Sequence, residues 1–124
     1  MPIHVYWADE GKTLLQADFV ETYTWDEYHD AIEKQLAMIE GLPHRFVSIT
    51  NLTDLQQMPS APFAPHFRRN RVLTPLNEVM TIIVGASADL RLLTSDRTHV
   101  NTLDEAYALA REMLAGTDTS ATGE

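Results

Sequence analysis

FVSITNLTDLQQMPSAPFAPHFRRNRVLTPLNEVMTIIV, residues Phe46–Val84, moves from an apolar run through a polar loop and a basic segment to a second apolar run. Phe46, Val47, Ile49 and Leu52 read as a strand whose apolar density suits the interior of a sheet. The loop Thr53–Ala61 follows, with Thr53, Asp54, Gln56, Gln57 and Ser60 interrupted by Leu55, Met58 and Pro59. Pro62 or Pro65 suits the first turn of a helix, where a missing N–H costs little. That helix should run to about Leu73 and stop before Pro75. Val79–Val84 is β-branched and uncharged, a strand expected to be buried on both faces. Strands separated by a helix need a crossover connection, which implies a mostly parallel α/β sheet.

Ile3–Trp7 alternates apolar and polar residues, as a strand with one buried face does. Asp9-Glu10-Gly11-Lys12 supplies a turn, with Gly11 able to take a positive φ. Leu14–Val20 then forms an antiparallel hairpin with the first strand. Thr24-Trp25-Asp26-Glu27 is a capping box. Trp25, Tyr28, Ile32, Leu36 and Ile39 behind it give one helical stripe, ended by Gly41 and Pro43. After Val84 come Gly85, a short helix around Ala88–Leu93 and a brief strand Thr98–Asn101. Thr102-Leu103-Asp104-Glu105 is a second capping box. Its helix carries Leu103, Ala106, Tyr107, Ala110, Met113 and Leu114 on one face, and Gly116 is expected to close it. The tail 117–124, TDTSATGE, has no apolar residue larger than alanine and is expected to be disordered. The order is β-β-α-β-α-β-α-β-α, a mostly parallel five-stranded sheet with an antiparallel first strand, in one domain over 1–116.

The chain has 124 residues, 44% hydrophobic and 22% charged, enough for one unaided core. It has no cysteine, which removes disulfides, thiol catalysis and thiolate metal sites, and fits a reducing cytoplasm. MPIHVYWADE lacks a basic region followed by an apolar core, so it does not read as a signal peptide. No apolar run approaches the ~20 residues of a membrane span. Nine Lys plus Arg against eighteen Asp plus Glu give a net charge of −9, which disfavours nucleic acid as a partner. Arg68, Arg69 and Arg71 reverse that sign locally.

His4, His29, His44, His66 and His99 show no metal-ligand spacing. No nucleophile elbow, phosphate loop or dinucleotide motif occurs, and Gly85-Ala86-Ser87 reads as a tight strand-to-helix turn. The expectation is a protein without cofactor, metal or catalytic residues. Trp7, Trp25, Tyr23 and Tyr28 read as core or rim packing rather than a ligand pocket. Two readings stay open for the basic helix: His66, Arg68, Arg69 and Arg71 meet an anionic partner, or they form a solvated face. The loop before it lies where α/β sheets place function, beyond the C-terminal end of a central strand. A phosphate on Ser60 would be favoured near the helix N-terminus.

In the order of these elements the chain resembles a STAS domain, and more narrowly the stand-alone bacterial proteins similar to anti-sigma factor antagonists. The resemblance covers about residues 3–115 and rests on the hairpin followed by TWDEY, the strand entering loop and helix, and VMTIIVGASADLRLL with VNTLDEAYALA. In the antagonist branch a kinase phosphorylates the second serine of Asp-Ser-Ser-Gly in that loop. Met58-Pro59-Ser60-Ala61 stands here, so Ser60 matches the acceptor while the acid, first serine and glycine are replaced. The resemblance implies a non-enzymatic cytoplasmic signalling domain, monomer or homodimer, whose partner is a kinase or anti-sigma factor. The contact residues would be Thr53, Asp54, Met58, Ser60, His66, Arg68, Arg69 and Arg71. The stand-alone relatives also imply an alternative: a small apolar, lipid-like ligand held between sheet and helix 62–73 by Met58, Phe63 and Phe67.

Overall fold

A computed structural model of the chain describes residues 3–57, 77–93 and 97–123. Ten elements run in the order β1 Ile3–Trp7, β2 Leu14–Phe19, β3 Glu21–Thr22, α1 Trp25–Ile39, β4 Phe46–Asn51, β5 Leu55–Gln57, β6 Glu78–Val84, α2 Ala88–Leu93, β7 Thr98–Val100 and α3 Leu103–Gly123. Five strands form the main sheet in the order β1-β2-β4-β6-β7. Only β1 is antiparallel; β2, β4, β6 and β7 are mutually parallel. This is the mixed, mostly parallel α/β sheet with an N-terminal hairpin that the sequence implies. Of about four helices expected, three are described, and the one expected over 62–73 falls outside the described residues.

The two faces of the sheet follow from strand alternation. Ile3, Val5, Leu15, Ala17, Phe19, Phe46 and Ile83 point to the side covered by α1, where they pack with Tyr28, Ala31 and Ile32. Leu14, Val47, Ile49, Ile82 and Val84 point to the other side, where Ala106 and Ala110 of α3 close over them. Ile82, Val84 and Val47 are fully buried, as a two-sided parallel core requires. Tyr23, Trp25, Tyr28 and Phe19 form an aromatic cluster at the start of α1, with edge-on ring contacts at 5.0–6.2 Å among them. Trp7 meets Phe46 edge-on at 6.2 Å, so the aromatic residues do pack as core and rim.

Local signals place the helix ends. Thr24 Oγ1 accepts from the Glu27 amide at 3.1 Å, and the Glu27 carboxylate accepts from the Thr24 amide at 3.0 Å. Both halves of the capping box are therefore made. Gly41, at φ +74°, takes the left-handed position just beyond α1 that glycine occupies without strain. Thr102 Oγ1 accepts from the Glu105 amide at 3.2 Å and opens α3.

Four details differ from the sequence reading. Lys12, not Gly11, carries the positive φ of the first turn, at 56°. There the Asp9 carboxylate fixes the backbone, accepting from the Thr13 and Leu14 amides at 2.9 Å each and from the Thr13 hydroxyl. The polar loop after β4 begins with a strand: β5 pairs in parallel with β3 in a separate two-stranded sheet. β2 and β4 end side by side, so the chains leaving them stay adjacent, and Glu21, at φ 56°, bends the first one out of the main sheet. Third, α3 passes Gly116 and takes in residues 117–123, which were expected as a disordered tail. An interior glycine costs a helix only about 1 kcal/mol, and no proline follows to stop it. Met113, placed on the buried stripe, is 37% exposed, because Ala106 and Ala110 lie at the centre of the contact.

Burial pushes the Asp9 carboxyl upward, but the bonds from Thr13 and Leu14 outweigh it and hold it below the usual carboxylate range. A carboxyl depressed in the folded state stabilises above its unfolded pKa, and that contribution is lost as pH falls through the folded value. Asp9→Asn is expected to lower the unfolding midpoint at neutral pH. Its deficit against the parent should shrink in acid, as read by urea titrations across the pH range.

Candidate functional site

The parallel strands deliver their C-terminal ends to one edge. Asn51 and Val84 lie opposite each other as the last pair of β4 and β6. Beyond them Leu52 N–H donates to the Val84 carbonyl at 2.9 Å, and Gly85 N–H donates to the Val100 carbonyl at 3.1 Å. The chain then folds over this edge, with Leu55 N–H donating to the Leu52 carbonyl at 3.1 Å. Gly85 has φ +75°, and a Cβ there would lie 3.0 Å from Thr53 Cγ2 and 3.3 Å from Thr53 Cα. Glycine is thus required twice over, by backbone conformation and by the close approach of Thr53.

Under that turn lies a polar chain centred on the buried Asn51 and Gln16. Asn51 donates from Nδ2 to Asp18 Oδ1 at 3.0 Å, and its Oδ1 accepts from the Thr53 amide at 3.2 Å and hydroxyl at 2.7 Å. Asp18 also accepts from Gln16 Nε2 at 2.7 Å and from the Tyr6 hydroxyl at 2.6 Å. Gln16, only 1% exposed, in turn accepts from the Tyr107 hydroxyl through Oε1. One hydrogen-bonded path therefore runs from α3 through β2 and β4 to the first residues of the loop. Burial, followed by the bond to Asp18 and its charge, raises the Tyr6 phenol well above its ordinary pKa, so the proton stays on Tyr6. Each member has a partner, so the path fixes the geometry at the start of the loop.

Of the residues singled out from sequence, Thr53 and Asp54 are described, and both are exposed at this edge. Thr53 is tied to Asn51, and the Asp54 carbonyl accepts from the Glu21 amide at 3.2 Å. Met58, Ser60, Phe63, His66, Phe67, Arg68, Arg69 and Arg71 lie outside the described residues. Gly85-Ala86-Ser87 is the tight turn expected, with Ser87 Oγ accepting from the Leu90 amide at 3.3 Å. Among the described residues no cluster of three His, Asp or Glu side chains can hold a metal ion.

Sequence reading missed Gln16, Asp18, Asn51 and Tyr107. A signal for two of them exists: Gln16 and Asp18 share the strand face of Leu14, so an interior strand carries two polar side chains on a buried side.

Comparison with known proteins agrees with this architecture. No protein-family model matches the chain, and no curated protein matches its sequence. It is similar in structure to an uncharacterized protein of the DUF3478 family from Shewanella loihica PV-4, described as having a SpoIIAA-like fold. The match covers 90% of this chain and 91% of that one, with a TM-score of 0.59 and 14% sequence identity. The chain therefore has a SpoIIAA-like, STAS-like fold. Among the described residues no helix is long and apolar enough to cross a membrane.

Gly85→Ala is expected to destabilise the protein by about 1–3 kcal/mol, the cost of a strained backbone position. Thermal unfolding measures the loss, and the Thr53 amide resonance should shift more than those of Phe46 or Val47.

Proposed function

We propose that this protein is a non-enzymatic STAS-like regulatory domain that binds a protein partner through the C-terminal edge of its sheet and residues 53–71. The observation that carries the reading is the anchoring of Thr53 between Asn51 and Gly85. A loop launched from so fixed a point presents Thr53 and Asp54 in a defined position at the end of the central strands. Ordering a loop in advance lowers the entropy lost on binding, so an anchored loop suits recognition. The charge pattern supports the same surface: Arg68, Arg69 and Arg71 are concentrated cations in a chain of net charge −9. An acidic face on the partner is their natural complement, and repulsion from the rest of the protein disfavours misdocking. Met58 and His66 contribute to the same contact, and Ser60 is its candidate phosphorylation site, where an added phosphate would weaken the attraction of an acidic partner.

The experiment is affinity measurement with the partner recovered on the tagged protein from its native host. Arg68→Glu with Arg69→Glu should weaken binding by roughly tenfold or more, as reversal of close interfacial charges does. Glu112→Lys on the exposed side of α3 should leave it unchanged. Equal affinity of the double variant, or a loss with Glu112→Lys, would contradict the reading. So would a native mass spectrum in which the 14.0 kDa chain carries a bound apolar molecule. That outcome would favour the carrier alternative lined by Met58, Phe63 and Phe67.

A further inference from the structure

The opposite end of the strand order holds a second surface, independent of the loop. Among the described residues β1 is an edge strand, paired only with β2. Ala8 N–H donates to the Leu14 carbonyl, and in the same register Tyr6 lies opposite Gln16 and His4 opposite Asp18. Hydrogen-bonded and non-bonded pairs alternate along an antiparallel ladder, so His4, Tyr6 and Ala8 direct their backbone groups to β2. Ile3, Val5 and Trp7 therefore turn their N–H and C=O groups outward. A strand presenting such a row is normally blunted by charge, proline or a bulge. Ile3–Trp7 contains neither charge nor proline, and its pairing with β2 is regular throughout.

Beside this edge runs a groove of about 430 Å³, lined by Ile3, His4, Val5 and Tyr6 on one side and Asp30, Ala31 and Lys34 of α1 on the other. The Tyr6 side chain lies on the opposite face of β1, where its hydroxyl meets Asp18 and the residue is 38% exposed. Asp30 and Lys34 are both exposed and one helical turn apart, so the α1 rim carries one charge of each sign.

We propose that a second copy of this chain docks on this edge, β1 against β1 and antiparallel, about a two-fold axis at Val5. The patch is self-complementary in the three respects an isologous contact needs. The outward backbone groups of Val5 meet those of Val5 in the second copy, and Ile3 meets Trp7, each pair exchanging hydrogen bonds in both directions. Their side chains continue the apolar layer under α1, while on the other face His4 comes beside Tyr6 of the second copy. The axis also sets the two α1 helices antiparallel, so Asp30 of each copy faces Lys34 of the other. The result is one continuous sheet through both copies, in which each β1 becomes an interior strand. Both C-terminal edges remain free for the partner.

Analytical ultracentrifugation over a concentration series tests this, with charge reversals at exposed positions that leave the fold intact. The wild-type chain should sediment at twice its 14.0 kDa mass. Lys34→Asp alone should raise the dimer dissociation constant by roughly tenfold, since the symmetry turns both ion pairs into repulsions. Asp30→Lys alone should act in the same way, and the double variant Asp30→Lys with Lys34→Asp should restore the wild-type value. A monomer mass throughout the series would overturn the proposal. So would a dimer whose dissociation constant ignores the single reversals, or one that the double reversal fails to restore.

Discussion

The constraint on which the other parts depend is the place of β4 between two parallel neighbours. Its backbone is paired along Val47–Asn51 with β2 on one side and along Phe46–Asn51 with β6 on the other. A strand so enclosed has its backbone groups bonded on both sides, and Phe46, Val47 and Ile49 fill the two faces of the core while Ser48 and Thr50 stay half-buried. Parallel pairing also forces each connection to cross back along the sheet, which puts α1 on one face and leaves α3 to cover the other. All C-terminal ends then arrive at a single edge. The candidate site lies at that edge because the strands are parallel.

At that edge the core admits polar groups, and the manner in which it does so is informative. Asn51 is 6% exposed and Gln16 1%, depths at which an unbonded amide costs roughly 1–3 kcal/mol. Both are bonded: Asn51 between Asp18 and Thr53, Gln16 between Asp18 and Tyr107. An apolar residue at Asn51 would fill the same space but leave the Thr53 amide and hydroxyl without this acceptor. The carboxamide therefore connects the end of a core strand to the start of an exposed loop. Gly85 completes the arrangement by giving Thr53 room to settle against the neighbouring strand.

Much of this was legible from sequence wherever the signal is local. The Thr24–Glu27 box, the glycine after α1 and the uncharged VMTIIV run each depend on a few adjacent residues, and each lies where it was expected. The mostly parallel sheet with its antiparallel first strand also followed, because strands separated by helices need crossover connections. Features set by contacts between distant residues were not legible. The β3–β5 ribbon exists because two chains leave neighbouring strands together, which neither ET nor LQQ announces by itself. Lys12 takes the strained position because Asp9 binds the next two amides, overriding the greater freedom of Gly11. Thr53 and Asp54 lie at the C-terminal edge of the sheet, as the end of an apolar run before a polar loop implies. Their anchors were hidden because Asp18 and Gln16 lie far away in sequence and look like ordinary polar residues of a hairpin.

The central claim is that the surface launched from Asn51 and Thr53 is the one a partner occupies. Hydrogen–deuterium exchange on the free and partner-bound protein tests it most directly. Binding there slows exchange at Thr53–Leu55 and through residues 58–71, while the amides of Val47, Ile49 and Ile82, already held in the central sheet, change little. Protection confined to the exposed side of α3, with Thr53–Leu55 exchanging as in the free protein, would contradict it.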